Sequence, residues 1–256
     1  MILYPVPERR LTPLEHISSK YGFPGICTAC GRPSYFRPYL DNHRELGTCV
    51  FCETCNRKRQ ICYLMRGALG LGYLGKITTA ADIFIAESSG GLHGSLRHNP
   101  NYVSSEYFGD AYKSGDIVNG TLHVNLLETH FEDNRFDFVL TSDVMEHIPD
   151  PYRAFKEIHR ILKPGGAHFF TVPFYQTHYL DEKRAEILDG KVVHHMEPIY
   201  HLDPNNPNGI LVYNIFSIEM LLNLSRIGFR TTMHKLYAPR YGIFGNNAIA
   251  FESRKI

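Results

Sequence analysis

The chain has 256 residues, of which 43% are hydrophobic and 21% charged, as is typical of a globular protein. Its formal net charge of +1 excludes a global electrostatic attraction to nucleic acid or to an anionic membrane, although a local basic patch would not appear in this sum. The length is sufficient for one large α/β domain and a small appended segment.

No apolar run reaches the roughly 20 residues that a helix needs to cross a bilayer. The first residues, MILYPVPERRL, lack the charged-then-apolar order of a secretory signal peptide. We therefore expect a cytoplasmic protein with no membrane partner. The sequence carries no signal for a particular oligomeric state.

The cysteines are confined to one short stretch of the chain. They are Cys27, Cys30, Cys49, Cys52, Cys55 and Cys62. Clustered Cys-x-x-Cys pairs in a reducing compartment indicate a metal site, because a disulfide framework would be spread more widely. We predict a zinc-ribbon-like segment over residues 1–66. Its tetrahedral Zn²⁺ ligands are predicted to be Cys27, Cys30, Cys52 and Cys55.

The second pair of this ligand set has an alternative. Cys49 also lies in a Cys-x-x-Cys pair with Cys52, which would leave Cys55 free. We favour Cys52 and Cys55 because turn-compatible polar residues follow them. An iron–sulfur cluster is a lesser alternative to zinc. Cys62 lies in the apolar run ICYLM and is predicted to be a buried core thiol.

A basic run, Arg57-Lys58-Arg59, follows the last knuckle. It could contact nucleic acid, but three charges are few, and a solvated helix start is the favoured interpretation.

Strand and helix patterns alternate over the rest of the chain, which we assign to a second domain at 67–256. The strand candidates are 82–86, 102–108, 121–125, 136–142 and 167–174, then 230–238 and 247–253. The helix candidates are 149–162, with Asp150 as N-cap and Pro151 at the first helical position, and 216–229. Lys163-Pro164-Gly165-Gly166 is expected to end the first of these helices. The pattern predicts an α/β fold with a parallel sheet, and the last two strands are expected to form an antiparallel pair at its edge.

Residues 173–214 show no regular pattern, and we predict that they form a lid over the carboxyl edge of the sheet, where open α/β sheets bind ligands. This stretch contains His178, His194, His195 and His201. His194, His195 and His201, with Glu197 and Asp203, could alternatively hold a second metal.

The segment IAESSGGLHGSL, residues 85–96, begins as a strand ending in an acidic residue and turns through Gly90 and Gly91. It is either a cofactor loop or an ordinary turn, since Ser89 and His93 stand where a cofactor loop usually has glycine.

The block FDFVLTSDVMEHIPDPYRAFKEIHRILKPGGAHFFTVP resembles the second half of class I S-adenosylmethionine (SAM)-dependent methyltransferases of the type 11-like group. In that family an acidic pair, Glu-His, Leu-Lys-Pro-Gly-Gly and a strand recur in this order. The resemblance is close over about 40 residues and extends in layout over residues 80–256. It implies a Rossmann-like fold with a mostly parallel seven-stranded sheet and an antiparallel edge pair. Zinc-ribbon segments precede the domain in some relatives.

The resemblance also implies SAM as cofactor and assigns it a set of contacts at the strand ends. Glu87 would lie near the amino acid part, Glu106 would hold the ribose hydroxyls, and Asp143 would lie beside the methionine moiety. The full set is Glu87, Ser88, Ser89, Gly90, Gly91, Glu106, Tyr107, Asn125, Leu126, Ser142 and Asp143. Carboxylates suit a ligand with an ammonium, a sulfonium and a diol, whereas they would repel a pyrophosphate.

Methyl transfer requires positioning of two reactants and sometimes removal of a proton from the nucleophile. The candidate bases are His147 and the four lid histidines His178, His194, His195 and His201. The lid residues are favoured, because the family counterpart of His147 is mostly structural.

We expect a small-molecule substrate methylated on oxygen or nitrogen. The Asn/Asp-Pro-Pro-Tyr loop of enzymes that methylate the exocyclic amines of bases is replaced here by Ser-Asp-Val-Met. An RNA methyltransferase that binds RNA through the zinc ribbon and Arg57–Arg59 is possible but not favoured. A non-catalytic binding module with a degraded SAM loop, and a SAM-dependent reaction other than methyl transfer, are further alternatives.

Overall fold

The computed structural model describes residues 22–37, 47–203, 206–245 and 248–256. Its strands, in chain order, are β1 Phe23–Ile26, β2 Pro33–Arg37, β3 Thr48–Cys49, β4 Ile83–Ile85, β5 Tyr102–Ser104, β6 Ile117–Val118, β7 Thr121–Leu122, β8 Phe136–Ser142, β9 Leu162–Thr171, β10 Glu182–Lys183, β11 Ala185–Leu188, β12 Lys191–His194, β13 Tyr200–Asp203, β14 Asn206–Leu211, β15 Asn214–Ile215, β16 Phe229–Lys235 and β17 Ile249–Lys255. Its helices are α1 Asn56–Ala68, α2 Gly90–Leu96, α3 Pro151–Ile161 and α4 Ile218–Ile227, with 3₁₀ turns at Met145–His147 and Pro239–Tyr241.

A mixed six-stranded sheet with the order β16-β17-β9-β8-β4-β5 is the centre of the molecule. Strands β5, β4, β8 and β9 are mutually parallel, and β17 runs antiparallel to both β9 and β16. The predicted Rossmann-like α/β architecture is therefore confirmed. The antiparallel strand β17 lies between β9 and β16, so β16 is the edge strand on this side of the sheet.

The seventh strand expected at 121–125 is only partly formed. Its first two residues, β7, pair with β6 in a short hairpin. Beyond them a single parallel bridge joins Glu106 to His123, with hydrogen bonds from the Glu106 amide to the Leu122 carbonyl (2.9 Å) and from the Val124 amide to the Glu106 carbonyl (3.0 Å). The described residues thus contain the beginning of a parallel seventh strand rather than a full one.

Helix α3 begins as predicted. The Asp150 side chain accepts a hydrogen bond from the Arg153 amide (3.1 Å), and Pro151 is the first helical residue. The helix ends at Ile161, one residue before the predicted end, and Lys163–Gly166, which were expected to terminate it, already belong to the extended strand β9.

The cysteine-rich segment and the sheet share one apolar core. Ile61, Cys62 and Met65, on one face of α1, pack in a single cluster with sheet residues such as Ile83 and Phe169. The expected boundary at residue 66 consequently falls inside α1, which covers one face of the sheet. The opposite face is covered by α3 and α4. Cys62 is fully buried in the shared core, as expected, and burial raises its pKa to about 12.

The lid region is more regular than predicted. It contains the antiparallel pairs β10–β15, β11–β12 and β13–β14. The β11–β12 hairpin turns through Asp189 and Gly190, both with positive φ (49° and 74°). Asp-Gly is a strong signal for a two-residue hairpin turn, so this pair was readable from the sequence and was missed.

Among the described residues, none of the helices combines the length and the apolar character that a membrane span requires.

The loop after β4 packs directly against the cysteine-rich segment. A Cβ atom at Gly91 would lie 2.0 Å from the Thr54 hydroxyl oxygen and 2.4 Å from the Cys52 carbonyl oxygen. The Cys52 carbonyl belongs to the backbone and the Thr54 side chain is short, so contacts this close favour glycine at this position of α2.

We predict that Gly91→Ala destabilises the protein by about 1–3 kcal/mol, because the new methyl group has no space. Gly94→Ala is the matched control in the same helix, since no atom lies within 4 Å of its Cβ position. The control should stabilise the protein by up to about 1 kcal/mol. Urea denaturation measures both changes, and equal stability of the two variants would contradict the packing described.

Candidate cofactor and metal sites

Four thiols converge between the first strands and α1. The sulfur atoms of Cys27, Cys30, Cys49 and Cys52 all lie within 4.8 Å of one another. Cys27 and Cys52 are 3.6 Å apart and Cys30 and Cys49 4.0 Å apart, too far for disulfides, whose S–S bond is about 2.05 Å. For a metal–sulfur distance of about 2.3 Å, the edge of a tetrahedron is about 3.8 Å. The geometry therefore fits a four-thiolate zinc site.

The ligand set differs from the predicted one in a single member, because Cys49 takes the place of Cys55. The two knuckles have the same backbone conformation. The Gly31 amide donates to the Cys27 carbonyl (2.7 Å) and the Glu53 amide to the Cys49 carbonyl (2.9 Å), both from a positive φ. Cys55 instead lies outside the cluster, as the residue that caps α1. The Cys49–Cys52 pair, the alternative that was not favoured, is followed by Glu53 where the first knuckle has Gly31.

Two buried arginines adjoin the four thiols. Arg59 donates to the carbonyls of Thr54 and Gly242 and lies over the Phe36 ring, 4.4 Å from its centroid. The Arg66 Nε donates to the Thr28 carbonyl (2.6 Å). Burial lowers the pKa of Arg59, and negative charge on the neighbouring cysteines opposes this effect. Buried cations need compensating anions, and four thiolates around a divalent ion carry a net charge of −2 that these arginines can balance.

The thiols also polarise one another. The hydrogen bond from Cys27 is the main cause of a lowered Cys52 pKa of about 6, while contact with Cys30 raises the pKa of Cys27. A lowered cysteine pKa favours the thiolate form, which is the form that binds metals.

Three predicted cofactor-binding acids stand beyond the carboxyl ends of the parallel strands. Glu87 follows β4, Glu106 follows β5 and Asp143 follows β8. The first turn of α1 faces this edge. Lys58 Nζ lies 2.7 Å from the Glu87 carboxylate, and Arg57 lies 3.1 Å from the Asp143 carboxylate.

One oxygen of this edge is left without a partner. Glu87 Oε2 accepts from Lys58, whereas its Oε1 is buried and has no hydrogen-bond partner among the described residues. The neighbouring Ser88 hydroxyl donates to Glu106 Oε2 (3.0 Å), which links the first and second strand ends.

The basic run therefore faces inward. Arg59 is fully buried, and the Arg57 and Lys58 side chains are only 21% and 20% exposed. The predicted solvated helix start is wrong for these residues. They also form no exposed basic surface of the kind that RNA binding through them would require.

Asp143 has an unusual backbone, with φ at +53° although it is not glycine. It is held there because its amide donates to the Thr171 carbonyl (3.0 Å) and the Thr171 hydroxyl donates to its carboxylate (2.8 Å). Ser142, just before it, approaches the Thr171 hydroxyl at 3.5 Å. Strained conformations fixed by surrounding bonds are concentrated at functional sites.

Ser89, Gly90 and Asn125 are three further residues that were predicted to contact the cofactor. Ser89 precedes α2 with an extended backbone, and Gly90 has a φ of +79°. Asn125 uses its side-chain oxygen to accept from the Leu127 amide (2.9 Å).

Two further predicted cofactor residues, Leu126 and Tyr107, contact other parts of the protein. Leu126 is buried in the core cluster that includes Phe84, so it packs within the protein. Tyr107 is 51% exposed, and its hydroxyl donates to Asp110 (2.6 Å).

Of the five candidate bases, only His147 and His201 come together. His147 Nε2 and His201 Nδ1 are 3.2 Å apart, and both adjoin the fully buried Glu146. The described residues that could hold a metal with His201 are thus Glu146 and His147, not the predicted His194 and His195.

The other three histidines lie elsewhere in the lid. His195 pairs with Glu186 (2.9 Å), the exposed His194 ends β12, and His178 contacts the Tyr175 ring.

Glu146 was not among the predicted site residues. No sequence signal relates it to His201, 55 positions further along the chain.

Residues 104–170, from β5 into β9, match a family model described as a methyltransferase domain. This match supports the class I methyltransferase family.

Short stretches of the chain are also similar to curated proteins. Phosphoethanolamine N-methyltransferase 2 of Caenorhabditis elegans is 48% identical over 42 residues, 16% of this chain and 10% of that protein. Demethylmenaquinone methyltransferase of Listeria welshimeri is 40% identical over 55 residues, 21% of this chain and 23% of that protein.

The chain thus spans about a quarter or less of the length of these two relatives. Among solved structures, 1,6-didemethyltoxoflavin-N1-methyltransferase of Burkholderia thailandensis, with bound S-adenosylhomocysteine, is 15% identical. That alignment covers 78% of each chain with a TM-score of 0.46.

The zinc content of two cysteine variants tests whether Cys49 or Cys55 is the fourth ligand. Cys49→Ser should lose the bound zinc and destabilise the protein, because it removes one of four thiolates. Cys55→Ser should keep a full equivalent of zinc, because its sulfur lies outside the cluster. Metal analysis of the purified variants measures their zinc content. Loss of zinc from Cys55→Ser but not from Cys49→Ser would show that Cys55 is a ligand and Cys49 is not.

Proposed function

We propose that this chain is a SAM-dependent methyltransferase that acts on a small molecule and transfers the methyl group to oxygen or nitrogen. The methyltransferase family match supports the reaction class. The observation that carries the cofactor assignment is the set of paired charges at the carboxyl edge. This set includes a buried Glu87 oxygen with no partner among the described residues.

The charges at this edge complement an amino acid head group. The vacant Glu87 Oε1 can accept from an ammonium group without loss of the Lys58 pair. Lys58 and Arg57 can in turn donate to a carboxylate. An alternating arrangement of acids and bases therefore suits a zwitterion, whereas acids alone would suit only its ammonium end.

Glu106 is the residue proposed to hold the ribose hydroxyls. A carboxylate with two oxygens can accept from both hydroxyls of a diol, and the bond from Ser88 orients it. Asp143 and Ser142 are proposed to line the methionine part of the site. When bound, SAM supplies a methyl group that its sulfonium has already activated. The chain's own residues position the reactants.

Zinc is proposed to act structurally. The four-thiolate cluster and the buried arginines hold the start of α1 against the carboxyl edge of the sheet. All four ligands would be protein thiolates, so no position remains for a substrate, as is usual for structural zinc sites.

The inward orientation of Arg57–Arg59 supports a small-molecule substrate over RNA, because the residues on which RNA binding would depend are paired or buried. The names of the relatives point the same way, since demethylmenaquinone and phosphoethanolamine are small molecules. The non-catalytic alternative is separated from this proposal by a binding measurement.

Calorimetric titration with S-adenosylhomocysteine should show saturable binding to the wild-type protein. Glu106→Gln should weaken it about tenfold or more, since a hydrogen bond to a charged group contributes about 1.5–3 kcal/mol. Glu132→Gln is the matched control, because Glu132 is exposed and precedes the amino end of β8, whereas the proposed site lies at the carboxyl ends of the strands. No binding to the wild type at millimolar ligand would refute the enzyme proposal. Equal affinities in the two variants would refute the ribose assignment.

A second titration tests the head-group assignment. Lys58→Gln should weaken binding of S-adenosylhomocysteine, because it removes the cation proposed to meet the carboxylate. It should leave binding of 5′-methylthioadenosine nearly unchanged, because that ligand lacks the amino acid part. If both ligands lose affinity equally, Lys58 supports the fold of the site rather than the head group.

A further inference from the structure

Glu146 is a buried carboxylate without a compensating donor. Its side chain has no solvent exposure, and neither oxygen has a hydrogen-bond partner in the described part of the chain. An ionised carboxylate in such a place is strongly disfavoured unless a cation or hydrogen bonds compensate it. Its surroundings therefore need a positive charge.

The tautomer of His147 is determined by the lid. Its Nδ1 lies 2.8 Å from the Leu211 carbonyl oxygen, which can only accept, so Nδ1 carries the proton. A ring that carries only this proton has its lone pair on Nε2, the nitrogen that faces Glu146 and His201. A histidine whose second nitrogen is bonded to a carbonyl is the usual arrangement of a metal ligand.

The three ligating atoms have the spacing of a coordination polyhedron. Glu146 Oε1 lies 3.8 Å from His147 Nε2 and 3.6 Å from His201 Nδ1, and the two nitrogens are 3.2 Å apart. For bonds of about 2.1 Å, ligand atoms are about 3.4 Å apart in a tetrahedron and about 3.0 Å apart in an octahedron. The nitrogen–nitrogen separation lies between these values, and the two oxygen–nitrogen separations exceed the tetrahedral value by about 0.2–0.4 Å, so a small inward shift of the Glu146 side chain would complete the geometry.

The lid holds this arrangement in place. The Tyr213 amide donates to the Glu146 carbonyl (2.8 Å), and the Asn214 side chain donates to the Ile148 carbonyl (3.1 Å). The turn at Met145–His147 and the strands of the lid are therefore fastened together at the cluster, which joins the carboxyl edge of the sheet to the lid.

We propose that Glu146, His147 and His201 bind a divalent transition-metal ion at the junction of the carboxyl edge and the lid. The ion is distinct from the zinc of the cysteine cluster, since the donors are two imidazoles and a carboxylate. Three protein ligands leave at least one position open, which is the pattern of catalytic rather than structural metal sites. The open position would take an oxygen atom of the substrate.

The site also defines the substrate class, and this step rests on the proposed methyltransferase function. A hydroxyl group bound to a divalent metal loses its proton more readily, because the ion stabilises the oxyanion. The proton passes to solvent, the oxygen lone pair forms the new O–CH₃ bond, and the electrons of the broken S–CH₃ bond remain on sulfur. The geometry thus favours methylation of a hydroxyl over methylation of an amine.

Mn²⁺ is a suitable probe for this site. It favours oxygen ligands such as a carboxylate over thiolates and ranks below Zn²⁺ in affinity, so it will not displace zinc from the cysteine cluster. In the zinc-loaded full chain, loss of the free-ion electron paramagnetic resonance signal should show one bound Mn²⁺ per chain. Glu146→Gln and His201→Ala should each weaken this binding by tenfold or more.

His234→Ala is the matched control, because His234 also lies near a carboxylate, that of Glu252 (3.3 Å), but on strands β16 and β17 away from the cluster. It should bind Mn²⁺ like the wild type. Glu146→Gln should melt no lower than the wild type without added metal, since it removes an uncompensated buried charge. This separates lost binding from unfolding.

The proposal is overturned if neither Mn²⁺ nor Co²⁺ binds beyond the cysteine-held metal. It is also overturned if Glu146→Gln binds Mn²⁺ as the wild type does. Either result would mean that His147 and His201 form a hydrogen-bonded pair without a metal ion. Because the titration contains no SAM, its failure is distinguishable from failure of the methyltransferase proposal, which S-adenosylhomocysteine binding tests separately.

Discussion

The arrangement of charges at the proposed cofactor site depends on the contact between the first turn of α1 and the carboxyl edge of the sheet. In an open α/β sheet, this edge is where ligands enter. Here Lys58 and Arg57 reach it from the cysteine-rich segment and pair with Glu87 and Asp143. The thiol cluster and the buried Arg59 fix the helix that carries them. The N-terminal segment is therefore a part of the proposed cofactor site and not an independent attachment.

This contact also explains the unusual glycine loop after β4. Gly91 is required for packing against the Cys52 carbonyl, so its small size serves the cysteine-rich segment directly. His93, where related loops usually have glycine, is hydrogen-bonded to the Tyr102 hydroxyl (2.9 Å), and burial lowers its pKa. Gly91 thus packs against the cysteine-rich segment, whereas His93 contacts strand β5 of the sheet.

Local patterns in the sequence were sufficient for the main elements of the fold. Apolar runs located β4, β8 and β9, and the Asp150–Pro151 signal located the start of α3. The identity of the fourth cysteine could not be inferred in this way, because Glu53 adopts a positive φ that its residue type does not favour. By contrast, the Asp189-Gly190 hairpin was predictable, and only the surrounding histidines and prolines made the lid appear irregular.

Contacts between distant segments were the part of the site that the sequence concealed. The approach of Arg57 to Asp143 and of Glu146 to His201 depends on how α1 and the lid dock on one sheet edge. Neither pair has a characteristic spacing. The acids at successive strand ends were predictable because parallel strands share an edge, but the bases that neutralise them come from a segment that the sequence assigned to another domain.

A crystal structure of the zinc-loaded protein with S-adenosylhomocysteine would test the central claim most directly. We expect the ligand's ammonium group to lie on Glu87 and its carboxylate to lie within hydrogen-bonding distance of Lys58 or Arg57. A bound ligand whose amino acid part lies away from α1, with both ion pairs unchanged, would contradict the claim that the cysteine-rich segment completes the site.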